Sequence, residues 1–182
     1  NIENPLAFLH KFLRKKNMKM ALMIIDMQKE FYVGKTRSQM DGAAAYIKAV
    51  IPLFEAKNVP VIWVHDVNEE EGVVPGSEGF EFIDSLTPPE GGTRIHKKYG
   101  NSFNKTDCDK ILKENGVDTV LLTGYCAEQC VLSTYQGAKD SDYFPVILKN
   151  GIASNEEENK RFVENISETI TCGMLRKLLT EA

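Results

Sequence analysis

The chain has 182 residues and a mass of 20.4 kDa, the size of one compact domain. With 42% hydrophobic and 26% charged residues it has an ordinary globular composition, which excludes disordered, collagenous and coiled-coil classes. Acidic residues outnumber basic ones 26 to 22, for a formal charge of −4, whereas a nucleic-acid binder would gather basic charge on one face.

The first 17 residues read as a helical extension, with Leu6, Leu9, Phe12 and Leu13 on one face, and residues 18–182 as a single domain. The start does not read as a secretory signal, because an acid precedes the short apolar stretch and the basic cluster follows it. The longest apolar runs, 21–25 and 59–64, fall well short of the roughly 20 residues that cross a bilayer. Four cysteines, at 108, 126, 130 and 172, show no framework spacing, so the expectation is a cytoplasmic protein with reduced thiols.

Residues 20–25 (MALMII) read as a strand buried on both faces, 39–57 as a helix, and 59–65 as a second strand. A long irregular excursion rich in Glu and Gly, 67–92, precedes a short third strand at 93–96; loops of this length in a compact domain are usually lids or disordered. Thr106 or Asp107 is expected to cap a helix ending at Gly116. A fourth strand over 118–123 leads into a helix through about 139, and a fifth strand covers 144–148. Ser154 or Asn155 is expected to cap an acidic helix, followed by a sixth strand near 168–171 and a last helix to Leu179. Alternation at this pitch predicts a three-layer α/β/α fold around a mostly parallel, six-stranded, Rossmann-like sheet.

Ligands of such sheets bind at the carboxyl ends of the strands. Past strand one lies Asp26, past strand two His65, Asp66 and Asn68, past strand three Lys97 and Lys98, and past strand four Cys126 and Cys130. An acid, a base and a thiol thus share one edge. A cysteine in the first turn of a helix, near a lysine, is expected to have a lowered pKa. A carboxylate could accept its proton, and backbone N–H groups of the turn could hold an oxyanion. The blander alternatives are a salt-bridged strand-end aspartate, a solvated lysine and a small core cysteine.

Three motifs stand in order: ALMIIDMQKEF, IHKKYGNSF and TGYCAEQCVLST. Together they resemble the isochorismatase-like cysteine hydrolases, the superfamily that includes nicotinamidases, N-carbamoylsarcosine amidase and isochorismatase. The resemblance spans about 20–179. It implies Asp26 as general base, Lys97 as the lysine (Lys98 being the alternative) and Cys130 as nucleophile. It further implies an oxyanion hole from the backbone N–H groups of Cys126 and Cys130, a cis peptide between Tyr125 and Cys126, and an aromatic pocket wall at Phe31. Asp66 and Phe103 are further expected substrate contacts. The implied reaction is cleavage of a C–N bond of a small amide, ureide or carbamoyl compound through a thioester.

Several features depart from the family's patterns. Asp66-Val67-Asn68 stands where nicotinamidases place D-x-H, and the loop beyond holds no histidine, so neither a metal nor another cofactor is expected. Ala127 replaces a common threonine, and Asn101-Ser102 the usual Ser-Ala, which leaves the substrate open. The alternatives are an isochorismatase-type vinyl-ether hydrolase and a non-catalytic binding module on the same fold. A nucleotide-binding or phospho-receiver domain lacks support, since no glycine-rich loop follows strand one and Met27 stands where a second acid would be needed. The expected partners are a small-molecule substrate and further copies of the chain, as a dimer or tetramer, with neither nucleic acid nor membrane.

Overall fold

The computed structural model describes residues 18–180, so the helix expected within 1–17 lies outside the described residues. Six strands form the sheet: β1 (Met20–Ile25), β2 (Val61–Asp66), β3 (Thr93–Lys97), β4 (Thr119–Gly124), β5 (Phe144–Ile152) and β6 (Thr169–Ile170). They stand in the order β3-β2-β1-β4-β5-β6, and every pairing is parallel. The order reverses between β1 and β4, and a crevice opens at such a switch point. β1 and β4 are buried along their whole length, as expected of central strands covered on both faces.

Five α-helices cover the sheet. Helix α1 (Thr36–Glu55) and helix α5 (Cys172–Thr180) pack on one face, around Met40, Ile47, Phe54 and Leu175. Helices α2 (Cys108–Glu114), α3 (Leu132–Asp140) and α4 (Glu157–Ile166) pack on the other, around Leu112, Tyr135, Ala138 and Val163. This is the three-layer arrangement expected from the sequence. Among the described residues no helix is long and apolar enough to cross a membrane.

The differences are local. Helix α1 begins and ends earlier than the apolar pattern suggests, and β5 runs four residues further, to Ile152. Helix α4 starts at Glu157, with Ser154 Oγ accepting the Glu156 N–H at 3.1 Å instead of capping the helix itself. At α2 the Thr106 hydroxyl accepts the Cys108 N–H (3.2 Å), while Asp107 occupies the N-cap position without a side-chain bond. The segment after β4 opens not as an α-helix but as a π-helical turn, Ala127–Val131, which continues into α3.

The long excursion, 67–92, is folded inward. It buries Val73, Phe80, Phe82, Ile83 and Leu86 and hydrogen-bonds to the exit of β1: the Ile83 N–H donates to the Met27 carbonyl (2.9 Å), the Lys29 N–H to Glu81 (2.8 Å) and the Glu30 N–H to Gly79 (3.0 Å). The loop is therefore an ordered wall beside the switch point.

Candidate active site

The carboxyl ends of β1, β2 and β3, with the turn after β4, bring four side chains together. In β3 the alternation of a strand turns Ile95 and Lys97 inward and Arg94 and His96 outward. Lys97 is buried, whereas Lys98 points to solvent and pairs with Glu69 at 2.6 Å. The Lys97 ammonium lies 2.7 Å from Asp26 Oδ2, 2.9 Å from Asp66 Oδ1 and 3.4 Å from Cys130 Sγ. Asp26, first residue past β1, has a φ of 49°, a left-handed conformation that aspartate tolerates better than most residues.

Gly124, the last residue of β4, sets the separation of β1 and β4. Its φ is +111°, and a Cβ there would fall 2.0 Å from the Ile25 carbonyl oxygen. Only glycine lets the two backbones approach this closely beside Asp26. The Tyr125–Cys126 peptide is cis. Beyond it, the Cys126 carbonyl accepts hydrogen bonds from the N–H groups of Gln129 and Val131 (both 3.1 Å), and the Ala127 N–H is held by the Ala153 carbonyl at the end of β5 (2.8 Å). Among the described residues the Cys126 N–H has no hydrogen-bond partner.

The second and third sequence motifs hold each other. Buried Ser102 bonds Thr134 of α3 twice, through its N–H (3.1 Å) and its hydroxyl (2.9 Å). This ties the segment after Lys97 to the helix that follows Cys130.

Electrostatics correct one expectation. Burial pushes the Cys130 thiol up, not down, to about 12; Asp26 raises it further and Lys97 only partly offsets this. A helix start beside a lysine lowers a thiol pKa when the thiol is solvated, but here desolvation and a facing carboxylate dominate. Burial also raises Asp26, to about 6, against the pull of Lys97. Burial works against the Lys97 charge, yet Asp26, Cys130 and Asp66 together outweigh it and hold the ammonium above the ordinary lysine range. At neutral pH the group rests as thiol, carboxylate and ammonium. Neither Asp26 oxygen has an aligned hydrogen bond among the described residues, so its contact with Lys97 is a charge pair that leaves lone pairs open to a proton.

Asp26, Asp66 and Cys130 offer ligand atoms within 4.8 Å of one another, a spacing that could hold a metal ion. The Lys97 ammonium, however, already bonds to or pairs with all three, and a second cation would have to displace it. Asn68, in the place of a nicotinamidase histidine, turns its Oδ1 to the N–H groups of Glu70 and Glu71 (3.1 and 3.2 Å) and closes a local turn.

Phe31 stacks on Tyr125 with ring centroids 5.2 Å apart, and the Tyr125 hydroxyl donates to Asn155 Oδ1 at 3.1 Å. Phe31 is therefore beside the turn that carries Cys126. Phe103, expected to contact substrate, is turned elsewhere: its ring packs 5.6 Å from Tyr143, at the opposite end of β5. The reason is local, since Asn101 Oδ1 accepts the Phe103 N–H (2.9 Å) and sets the direction of that turn.

Gln28 is fully buried, and the sequence marks it only as part of a motif. Its Nε2 donates to the carbonyls of Asp66 (3.0 Å) and Phe80 (3.1 Å), and its Oε1 accepts the Asp66 N–H (2.7 Å). One amide side chain thereby fixes the ends of β1 and β2 and the long loop. The only hint in the sequence is an amide placed two residues beyond a strand-end acid. His65 is buried against Phe80 and Phe82, at 4.6 Å from each ring, with Nδ1 unpartnered. Burial lowers its pKa to about 4, so it serves as an apolar plate under the loop. All four cysteines are free, and burial raises the Cys126 thiol to about 12.

These features define an α/β protein with a cysteine, a lysine and two aspartates gathered at the switch point of its sheet. The family follows from comparison: a model of the Isochorismatase domain matches residues 20–171, and the chain belongs to that hydrolase family. The secreted isochorismatase effector Isc1 of Verticillium dahliae is 29% identical over 140 residues, covering 74% of this chain and 73% of that protein. Among solved structures, an isochorismatase-like hydrolase from Alkaliphilus metalliredigens superposes with a TM-score of 0.79 at 27% identity, covering 87% of this chain and 98% of that one. N-carbamoylsarcosine amidase from Thermoplasma acidophilum superposes with a TM-score of 0.75 at 26% identity, covering 85% and 97%.

Proposed function

We propose that the chain is a thiol-dependent amidase acting on a small molecule, with Asp26, Lys97 and Cys130 as its triad. The observation that carries this reading is the buried ammonium held 2.7 Å from Asp26 and 3.4 Å from the Cys130 sulfur, beside a carboxylate with open lone pairs. Asp26 takes the thiol proton as the sulfur attacks the carbonyl carbon. Lys97 balances the charge, and the N–H groups of Cys126 and Cys130 receive the oxyanion. As the tetrahedral species collapses, the C–N bond breaks, the leaving nitrogen takes the proton from Asp26, and a thioester remains. Water then attacks the thioester and passes a proton to Asp26, which returns it to the sulfur as the acid product leaves. The raised thiol pKa fits a nucleophile that is deprotonated only as substrate is attacked.

The similarity to N-carbamoylsarcosine amidase in fold and length supports a C–N bond as the target. The similarity to an isochorismatase effector supports the rival reading, a vinyl-ether hydrolase, whose chemistry has no need of a thiol. The test is a screen of small amides, ureides and carbamoyl compounds, alongside isochorismate, with wild type and Cys130→Ala. Loss of all amide turnover in the variant is expected. Amide turnover undiminished by the substitution, or isochorismate turnover that survives alkylation of Cys130, overturns the reading.

A further inference from the structure

Two carboxylates share the Lys97 ammonium, but they differ in access. Asp26 is 1% exposed, whereas the Asp66 side chain is 24% exposed. Lys97 engages Asp66 through Oδ1, and among the described residues Oδ2 has no partner. An oxygen of Asp66 also lies within 4.8 Å of the Cys130 sulfur. Asp66 is thus the charged group of the site that an entering molecule meets beside the nucleophile. Two carboxylates and one ammonium leave this group with an excess of one negative charge.

The surroundings add to that sign. The loop 67–92 carries seven acidic side chains and no lysine or arginine. The described lysines that follow the strand ends are already engaged: Lys29 with Asp84 at 2.7 Å, Lys98 with Glu69 at 2.6 Å, Lys35 with Glu156, and Lys105 with the Tyr99 hydroxyl at 3.0 Å. These four lysines are thus engaged, and Arg37 is turned to the Tyr32 carbonyl and ring, so a substrate carboxylate beside Cys130 would face Asp66 at short range. At about 4 Å two like charges repel by roughly 1 kcal/mol in water and more where water is excluded.

We infer that the site selects small amides that are neutral or cationic, with Asp66 Oδ2 accepting an N–H or ammonium of the substrate, and that it discriminates against carboxylates. This rests on the amidase reading for its chemistry, but the charge selection resides in the geometry around Cys130 and can be measured without turnover. Asp66 is here a specificity-determining residue.

The experiment labels Cys130 in wild type and Asp66→Asn with charged thiol reagents: aminoethyl and sulfonatoethyl methanethiosulfonate, then iodoacetamide and iodoacetate. Each rate is divided by that of the same reagent with free cysteine, and the site is read by mass spectrometry. The expected result is a normalised cation rate at least about tenfold above the anion rate in wild type. That ratio should shrink in high salt and in Asp66→Asn. A normalised anion rate equal to or above the cation rate overturns the inference, as does a ratio that Asp66→Asn leaves unchanged with wild type insensitive to salt. A matched amide series bearing a trimethylammonium, a hydroxyl or a carboxylate gives the second readout, with kcat/KM expected to fall in that order. If no member is hydrolysed but the labelling ratio holds, the amidase reading fails and the charge selection stands. If the carboxylate is the best substrate, the amidase reading stands and the charge selection fails.

Discussion

The strand ends and the long loop meet beside the same cluster of side chains, yet they are built in different ways. Asp26 and Lys97 lie on backbone fixed by parallel pairing, so the 2.7 Å contact between them is set by sheet register and by the close approach of Gly124 to Ile25. The loop 67–92 has no sheet to hold it. It is held by Phe80, Phe82, Ile83 and Leu86 in the core, by bonds to residues 27–30, and by Gln28. Register gives rigid placement of reacting groups, and loop packing gives a wall that can vary without disturbing them. Changes at the strand ends should therefore act on turnover, and changes under the loop on substrate binding.

The largest effect that would break this division is at Lys97. Lys97→Met removes the ammonium and leaves Asp26 and Asp66 facing each other beside Cys130. We expect kcat to fall roughly 10³-fold and the fold to lose about 3–5 kcal/mol, the cost of stripping one partner from a buried ion pair. Steady-state kinetics and chemical denaturation read the two effects. A variant that keeps kcat within a fewfold of wild type would remove Lys97 from the proposed triad. Gln28→Ala tests the other side at smaller size. It leaves the Asp66 N–H and the carbonyls of Asp66 and Phe80 without their partner, which costs about 1–3 kcal/mol. KM should rise about tenfold with kcat nearly unchanged; the reverse pattern would mean that Gln28 aligns the reacting groups rather than the wall.

The same division governs what the sequence makes legible. Strand ends are readable because a buried apolar run ends abruptly at its first charged residue, as at Asp26, and because the motif that ends at Phe103 favours Lys97 over Lys98. Motif spacing does not tell where a ring points, so Phe103 reads as a pocket residue although the turn at Asn101 directs it to Tyr143. The π-helical turn at Ala127–Val131 is illegible locally, since the bond that anchors it comes from Ala153, past β5. The Glu- and Gly-rich composition of the long loop hides five buried apolar residues at irregular spacing, with no period to betray them. Charge state is the least legible property. The Cys130 thiol is raised by burial and by Asp26 from the end of another strand, while the sequence displays only its own helix start and a lysine.

The smallest expected effect separates catalysis from stability by pH. In the proposed mechanism Asp26, raised by burial to about 6, must be ionised to accept the thiol proton, so kcat/KM should fall about tenfold per unit below pH 6. The same group does not unfold the protein there. Its folded pKa lies above the 3.8 of an ordinary aspartate, so between those values the folded chain binds the proton more tightly and gains stability as pH falls. His65 acts in the opposite sense: lowered by burial from 6.5 to about 4, it resists protonation in the fold and costs stability as pH falls through that window. The two contributions offset, so the thermal midpoint should stay nearly level between pH 7 and 5 while kcat/KM drops. Parallel measurement of both across that range is the check. A midpoint that falls in step with activity would make the acid limb a loss of the loop and its buried histidine rather than the titration of a base at the strand end.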